Sequence, residues 1–585
     1  MTEPALNFTS AERIGRIASV DTNRVYIDVQ DHALLTRILV GNLIAVMGRT
    51  ADEFLIAITQ RVTWEVRQQV LLQEEDQSGN VPIGEANVDT IVAVLVGTFR
   101  AVQGSKRNVF KRGADTFPQI DRDCYLIEGG NLQRLMNLLA KELPQDKQLQ
   151  LGHYALDPTA VAVVDGDRFF QRHAAVLGST GAGKSCAIAL VLERADALEH
   201  PNIIVLDIHG EYRPLTETAP AIASYFRIAG PGDLGAPEPN VIFLPYWLLN
   251  REEMLAMLVD RTDQNAPNQA ARCSNYVRAL KEKTLKILGN HKDVLETFTV
   301  DSPIPYNLDD LLQRLRADNA EMVPGKNTEK QGEMFGKLTR FIGRLESKID
   351  DRRYGFMFQP SMQSMNYDWL ADQLTKVMAS DQNICGIKII DFSDVPSDVL
   401  PIVVGVFARI VYNVQFWLSR EKSTPITIIC DEAHLYLPVR GEADSMEARA
   451  LEVFERIAKE GRKYGVSLVA VSQRPSDVSR TILSQCNNFL VLRLTNDQDQ
   501  NVVKHLMLDS MAGLTSILPL LDVGEALLLG DAVLLPTRIK LDLPKIQPAS
   551  ATREFWTEWG QRCPDVAAIK EAVETLRRQT RAVGT

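Results

Sequence analysis

Gly178-Ser179-Thr180-Gly181-Ala182-Gly183-Lys184-Ser185 follows directly on the apolar run Ala174-Ala175-Val176-Leu177 and runs into Cys186-Ala187-Ile188-Ala189-Leu190-Val191-Leu192-Glu193. The eight residues match G-x-x-x-x-G-K-[ST] in full. A strand is predicted before them and a helix after, which is the context in which this pattern forms a phosphate loop. The glycines let the backbone wrap a phosphate chain with successive N–H groups pointing inward, and the helix N-terminus adds partial positive charge. Gly178 to Cys186 is therefore the expected nucleotide-binding set, with ATP and Mg²⁺ as the cofactors. Lys184 is expected to reach the β- and γ-phosphates and the Ser185 hydroxyl to ligate Mg²⁺. A chance Gly-rich turn is the alternative, and it leaves the flanking strand and helix unexplained.

At 585 residues the chain is too long for one core. Hydrophobic residues make up 45% and charged residues 24%, as in ordinary soluble globular proteins. No apolar run approaches the roughly 20 residues of a membrane span, so no membrane association is expected. The start of the chain, MTEPALNFTSAER, lacks the basic and apolar stretches of a signal peptide. Seven dispersed cysteines without a C-x-x-C pair fit a reducing cytoplasm. The net charge of −11 argues against a surface coated with nucleic acid. It leaves room for a local basic channel, because phosphate contacts need only a few well-placed cations.

Residues 1–155 alternate short β-like runs with turns: Arg24–Val29, Leu43–Met47, Phe54–Ile58 and Thr90–Gly97. Many short strands suggest a small barrel or sandwich. A helix is predicted over Asn131–Leu143, with Pro144–Lys147 as a linker. An α/β core opens at 156–250 and resumes at 381–545. Its strands are predicted at Asn202–Asp207, Gly386–Asp391, Ile426–Cys430, Val466–Val471 and Asn488–Arg493, with helices between them, giving a mostly parallel covered sheet. Between the two halves, 251–380 has helical spacing, as at Arg272–Leu288 and Gly332–Ile349, and reads as a helical insertion. Residues 546–585 form a polar, helical C-terminal extension.

The strand Ile426–Cys430 ends in Asp431-Glu432, a Walker B pattern. Asp431 is expected to hold Mg²⁺ through water, and Glu432 to orient or polarise the attacking water. Asp207 and Glu211 follow another strand end, where groups of a parallel sheet line the ligand crevice. They either assist metal and water or cap a turn at Gly210. Gln473, after the strand Val466–Val471, sits where a side chain can sense a γ-phosphate; a helix-start hydrogen bond is its plainer role. The cations before that strand include Arg456 and Arg462. Either can serve as an arginine finger for a neighbouring subunit, Arg462 being favoured, or both simply complement a helix C-terminus.

Taken together, the chain resembles the HerA family of ring ATPases, relatives of the FtsK DNA pumps with a RecA-like core. The residues that carry the resemblance are the loop 178–185, Asp207-Ile-His-Gly-Glu-Tyr212, Asp431-Glu-Ala-His-Leu-Tyr-Leu-Pro438, Ala458-Lys-Glu-Gly-Arg-Lys-Tyr-Gly465, Ser472-Gln-Arg-Pro475 and Leu492-Arg-Leu-Thr-Asn-Asp-Gln-Asp499. Residues 11–60 are similar to the family's small N-terminal barrel, and Ser347–Phe358 to the end of its helical insertion. The segments 60–150 and 546–585 match least well. The resemblance implies a homohexamer, ATP hydrolysis between subunits, double-stranded DNA through the pore, and a nuclease or other effector docked on the barrel face. Relatives act in DNA end resection or stand beside effectors in anti-phage defence.

Asp431-Glu432-Ala433-His434 also spells a DEAH box, but such helicases need a second RecA-like domain after it, and the residues after Glu432 only finish the first sheet. A ring motor acting on protein, and a nucleotide-gated scaffold that switches on an effector, remain as other readings. For DNA contact, Lys337, Arg340, Arg344 and Lys348 are predicted to share one helical stripe beside the apolar stripe Leu338, Phe341, Ile342, Leu345 and Ile349. An ordinary solvated helix face is the preferred account of that stripe.

Overall fold

Apolar residues at every second position close the first part of the chain into a barrel. Its strands are β1 (Arg13–Asp21), β2 (Arg24–Asp28), β3 (Leu43–Met47), β4 (Glu53–Val70), β5 (Ile83–Arg100), β6 (Phe110–Arg112) and β7 (Asp123–Ile127). Neighbours run β2-β1-β7-β3-β4-β5, the β2–β5 pairing closes the ring, and β6 adds to β5. Val25 and Ile27, Ile44 and Val46, Leu55 and Ala57, and Ile91 and Ala93 all point into one core, as a period of two requires. Closure gives each of the six ring strands a neighbour on both sides over part of its length. The short runs expected at Phe54–Ile58 and Thr90–Gly97 are parts of two 18-residue strands. Polar Thr59, Arg61 and Thr63 stay in the ladder, opposite Ala93, Val92 and Thr90, because the pairing is made by backbone groups and needs no apolar side chain.

The structure is a computed structural model and describes residues 6–578 apart from 30, 50–52, 71–82, 101–109, 114–115, 142, 235–238, 261, 325–328, 381–383, 442–444, 508 and 551–552. It consists of two units. Met1–Ala195, Val469–Ser476 and Leu483–Lys545 form the first; Asp196–Leu468, Asp477–Ile482 and Ile546–Thr585 form the second. The remaining strands are β8 (Gln148–Tyr154), β9 (Asp157–Asp165), β10 (Ala174–Leu177), β11 (Ile203–Asp207), β12 (Ala223–Ile228), β13 (Val241–Ile242), β14 (Met322–Pro324), β15 (Glu329–Gln331), β16 (Ile387–Asp391), β17 (Ile426–Cys430), β18 (Val466–Ser472), β19 (Asn488–Leu492), β20 (Glu525–Gly530) and β21 (Thr537–Leu541).

In the first unit β10 lies between β18 and β19, parallel to both. Antiparallel β20, β21, β8 and β9 follow in that order. Gln148–Tyr154, placed with the barrel by its sequence, thus pairs with β21 of the ATPase sheet. The helix expected at Asn131–Leu143 spans Gly129–Lys141, and the linker Pro144–Lys147 is a single tight turn. In the second unit β13, β12, β16, β11 and β17 are all parallel. Every residue of β10, β11 and β17 is buried, which is why these strands read as unbroken apolar runs.

The insertion is mainly helical: Arg251–Leu258, Ala266–Leu288, Lys292–Thr297, Leu308–Asn319, Thr339–Asp350, Gly355–Phe358 and Trp369–Met378, with the hairpin β14–β15. The helix expected from Gly332 begins only at Thr339, because Gly336 is left-handed at φ +72° and turns the chain before it. Lys337 therefore precedes the helix. Arg344 pairs with Asp260 at 2.9 Å, and the Lys348 ammonium lies 3.6 Å from the centre of the Tyr354 ring. The four cations do not make one free stripe.

One described helix, Leu400–Trp417, is long and apolar enough to cross a membrane, contrary to the reading that no run comes close. It is 72% buried within the protein. A Cβ added at Gly405 would lie 2.8 Å from the Ala450 Cα of the helix Ser445–Glu460, so this glycine sets a close helix–helix contact. It is a core helix, apolar because it is enclosed. The C-terminal extension forms helices at Phe555–Gln561 and Val566–Arg578.

Candidate active site

The phosphate loop lies in the first unit and is shaped by its glycines. Gly181 and Gly183 have φ of +73° and +105°, a region that L side chains rarely adopt. A Cβ at Gly178 would come within 2.8 Å of the Leu492 Cβ. The loop leaves β10 and is pinned on both sides: the Gly178 N–H donates to the Ser472 carbonyl at 3.2 Å and the Ser179 N–H to the Arg493 carbonyl at 2.8 Å. Lys184 opens the helix Lys184–Asp196, with Ser185 and Cys186 in its first turn. Lys184 is buried, and its Nζ donates to the Ser179 carbonyl at 3.4 Å, folded across the loop's own mouth.

Gln473 meets this loop, as its place after β18 predicts: the Thr180 hydroxyl donates to its Oε1. Thr495 is a contact the sequence named only within a motif. Its N–H donates to the Ser179 Oγ at 3.3 Å. Position at the carboxyl end of β19, beside the P-loop strand, is the signal that could have singled it out.

The acids lie in the second unit. Asp431 follows β17 directly and is buried, its carbonyl accepting from the Tyr436 hydroxyl at 2.9 Å. Burial, then the charges of Asp207, Glu432 and Glu211, push the Asp431 carboxyl well above the usual carboxylate range. Glu432 has φ 44° and ψ 47°, a left-handed conformation that costs a non-glycine residue about 1–3 kcal/mol. Such strain persists where the surroundings impose it and aims the side chain. His434 Nδ1 lies 3.3 Å from Glu432 Oε2.

Asp207 resolves toward the turn. Its two oxygens accept the N–H groups of Glu211 at 3.0 Å and Tyr212 at 2.9 Å. It holds the turn that presents Glu211 and Tyr212 among the acids. Burial, aided by the neighbouring Asp391 charge, pushes Asp207 up to about 7 against the opposing pull of those N–H groups.

Arg462 stands exposed on the turn Gly461–Tyr464 and makes no ion pair among the described residues. Arg456 is engaged in its own chain, 3.7 Å from Glu460 and 5.4 Å from the centre of the Tyr412 ring. The structure thus gathers Gly178–Cys186 with Gln473 in one unit, and Asp207, Glu211, Asp431 and Glu432 in the other.

Magnesium fits this donor set. Burial and the neighbouring charges of Asp207, Glu432 and Glu211 raise the proton affinity of Asp431, a repulsion that a divalent cation relieves, and hard oxygen donors suit Mg²⁺. Mg²⁺ keeps much of its water, so in the second unit Asp431 would hold its hydrate, and the bound ion would supply charge that screens phosphate.

A phosphate loop on a parallel sheet, with a strand-end acid pair in the same chain, defines a RecA-like P-loop ATPase. Residues 149–411 match the family model described as "Helicase HerA, central domain". The chain is 27% identical over 430 residues to the DNA double-strand break repair helicase HerA of Pyrococcus furiosus, covering 67% of this chain and 69% of that protein. It is 26% identical over 445 residues to a probable helicase of Methanocaldococcus jannaschii, covering 75% of each. Among solved structures it is similar to VirB4 of Thermoanaerobacter pseudethanolicus (TM-score 0.46, 17% identity, 68% of this chain and 97% of that one). It is also similar to the bacterial conjugative coupling protein TrwB (TM-score 0.44, 16% identity, 72% and 94%). The central part of the chain is thus similar to the HerA helicases.

Proposed function

We propose that this chain is one subunit of a homohexameric ring that hydrolyses Mg²⁺-ATP to translocate along double-stranded DNA. In this reading it works with a nuclease or other effector in DNA end processing or anti-phage defence. The observation that carries the motor reading is the pairing of a complete phosphate loop with a buried Asp431-Glu432 site in a chain whose relatives bear the name of DNA repair helicases. The closed barrel supports the docking part of the proposal. It supplies none of the nucleotide-site residues, and six copies would bind an oligomeric effector with avidity. The described cysteines are all free, in keeping with a cytoplasmic setting.

A DNA motor must feel its track. Duplex DNA should stimulate ATP turnover, and the stimulation should fall steeply between about 50 and 200 mM salt as phosphate contacts are screened. A turnover indifferent to DNA but raised by the effector would instead make the ring a nucleotide-gated scaffold.

The Arg462 guanidinium, exposed and without an ion pair among the described residues, supports its assignment as the finger that acts in trans. Arg462→Ala should lose ATPase while keeping nucleotide affinity, because the finger stabilises charge that develops in the transition state. Rings mixed from Arg462→Ala and Lys184→Ala subunits should regain part of the activity, since some interfaces then pair an intact loop with an intact finger. Mixing that restores nothing, with subunit exchange confirmed, removes Arg462 from this role.

A further inference from the structure

Tyr212 is wholly buried, at 0% exposure. Its N–H is held by Asp207 at 2.9 Å, which fixes where its side chain starts. Its hydroxyl has no hydrogen-bond partner among the described residues. The charges that bear on that phenol are those of Asp431, Asp207, Glu211 and Glu432, Asp431 foremost. The hydroxyl thus lies within electrostatic reach of four carboxylates and hydrogen-bonds to none of them among the described residues. Burial and these negative charges push the phenol far above its ordinary range, so it remains a neutral O–H donor.

A buried hydroxyl without a partner is unfavourable, and native proteins seldom leave one. A gap between a donor and strong acceptors is where a water molecule becomes ordered. We propose that the Tyr212 hydroxyl is a positioning residue for ATP hydrolysis, donating to a water ordered between it and the Asp431 and Glu432 carboxylates. That water donates in turn to the carboxylates. It thereby fixes the orientation of the acid that faces the magnesium hydrate and of the acid that faces the attacking water. The phenol transfers no proton and touches no substrate; it removes freedom from the two groups that do the work. Asp207 anchors the arrangement from behind by holding the Tyr212 backbone.

This inference rests on the roles given to Asp431 and Glu432. Tyr212→Phe deletes one oxygen and leaves the ring in place. If the hydroxyl only fills space, its loss leaves turnover unchanged, because an unpaired buried polar atom contributes nothing favourable. If it positions the acids, three readouts separate. Steady-state turnover should fall about tenfold and KM for ATP should change less than about twofold, as for an interaction needed only beyond the ground state. The Mg²⁺ concentration for half-maximal rate should rise. The melting temperature of the nucleotide-free protein should stay level or increase. A turnover within about twofold of wild type overturns the inference, and so does a fall in melting temperature that accompanies the loss of rate. Glu432→Gln, assayed in parallel, separates the two layers. Unimpaired Glu432→Gln overturns the acid assignment itself, whereas a slow Glu432→Gln beside an unimpaired Tyr212→Phe overturns the tyrosine alone.

Discussion

Lys184→Ala should abolish ATP turnover, by at least about a hundredfold, in a protein that still folds. The ammonium is the one side-chain cation the phosphate loop itself supplies, and no backbone N–H can replace a full charge against the β- and γ-phosphates. The loop's fold has other supports. Lys184 is buried, yet its Nζ makes a long bond of 3.4 Å to the Ser179 carbonyl. A neutral acceptor at that distance contributes at most about 0.5–1.5 kcal/mol. The loop's shape comes from Gly178, Gly181 and Gly183 and from its ties to Ser472 and Arg493, none of which the substitution touches. A phosphate-release assay beside a thermal melt checks both halves. Turnover near wild type would remove Lys184 from the site. A collapsed melting temperature would mean that the buried ammonium supports the loop rather than the nucleotide.

What the sequence could disclose follows from how local each cause is. The phosphate loop was legible because its requirements are met by consecutive residues: glycines where φ is positive, a lysine at the helix start, and an apolar strand before it. β11 and β17 were legible because strands buried on both faces must be apolar throughout. The Asp431-Glu432 pair followed from its place after such a strand. Other features depend on contacts made far along the chain. The left-handed Glu432 has no sequence mark, since glutamate does not favour that conformation and only the surrounding packing holds it there. Asp207 left two roles open because one carboxylate suits both; the N–H groups of Glu211 and Tyr212 decide for the turn. The length of β4 and β5 was hidden because a ladder of backbone hydrogen bonds continues through polar side chains. The late start of the helix Thr339–Asp350 lay in Gly336, one glycine among amphipathic spacing that otherwise suits a helix. The Leu400–Trp417 helix was passed over as a candidate span, and its apolar surface is accounted for by enclosure.

Glu432→Gln should bind ATP with little change and hydrolyse it at least about a hundredfold more slowly. The replacement keeps the length and shape of the side chain and removes only its charge and its ability to accept a proton. Placing an attacking water needs that basic oxygen; holding the triphosphate does not. The acid cluster gives the expectation a second side. The Asp431 carboxyl is raised by burial and by the charges of Asp207, Glu432 and Glu211. Neutralising Glu432 relieves part of that repulsion, so Asp431 becomes easier to ionise and the metal-dependent part of binding is preserved. The strained backbone at φ 44° is unchanged, and the melting temperature of the nucleotide-free variant should not fall. An isothermal titration with ATP and Mg²⁺, paired with single-turnover phosphate release, reads the two effects separately. Tight binding with slow release is the outcome a water-orienting carboxylate demands. Loss of binding together with turnover would make Glu432 a support of the acid cluster, and the attacking water would then need a different base.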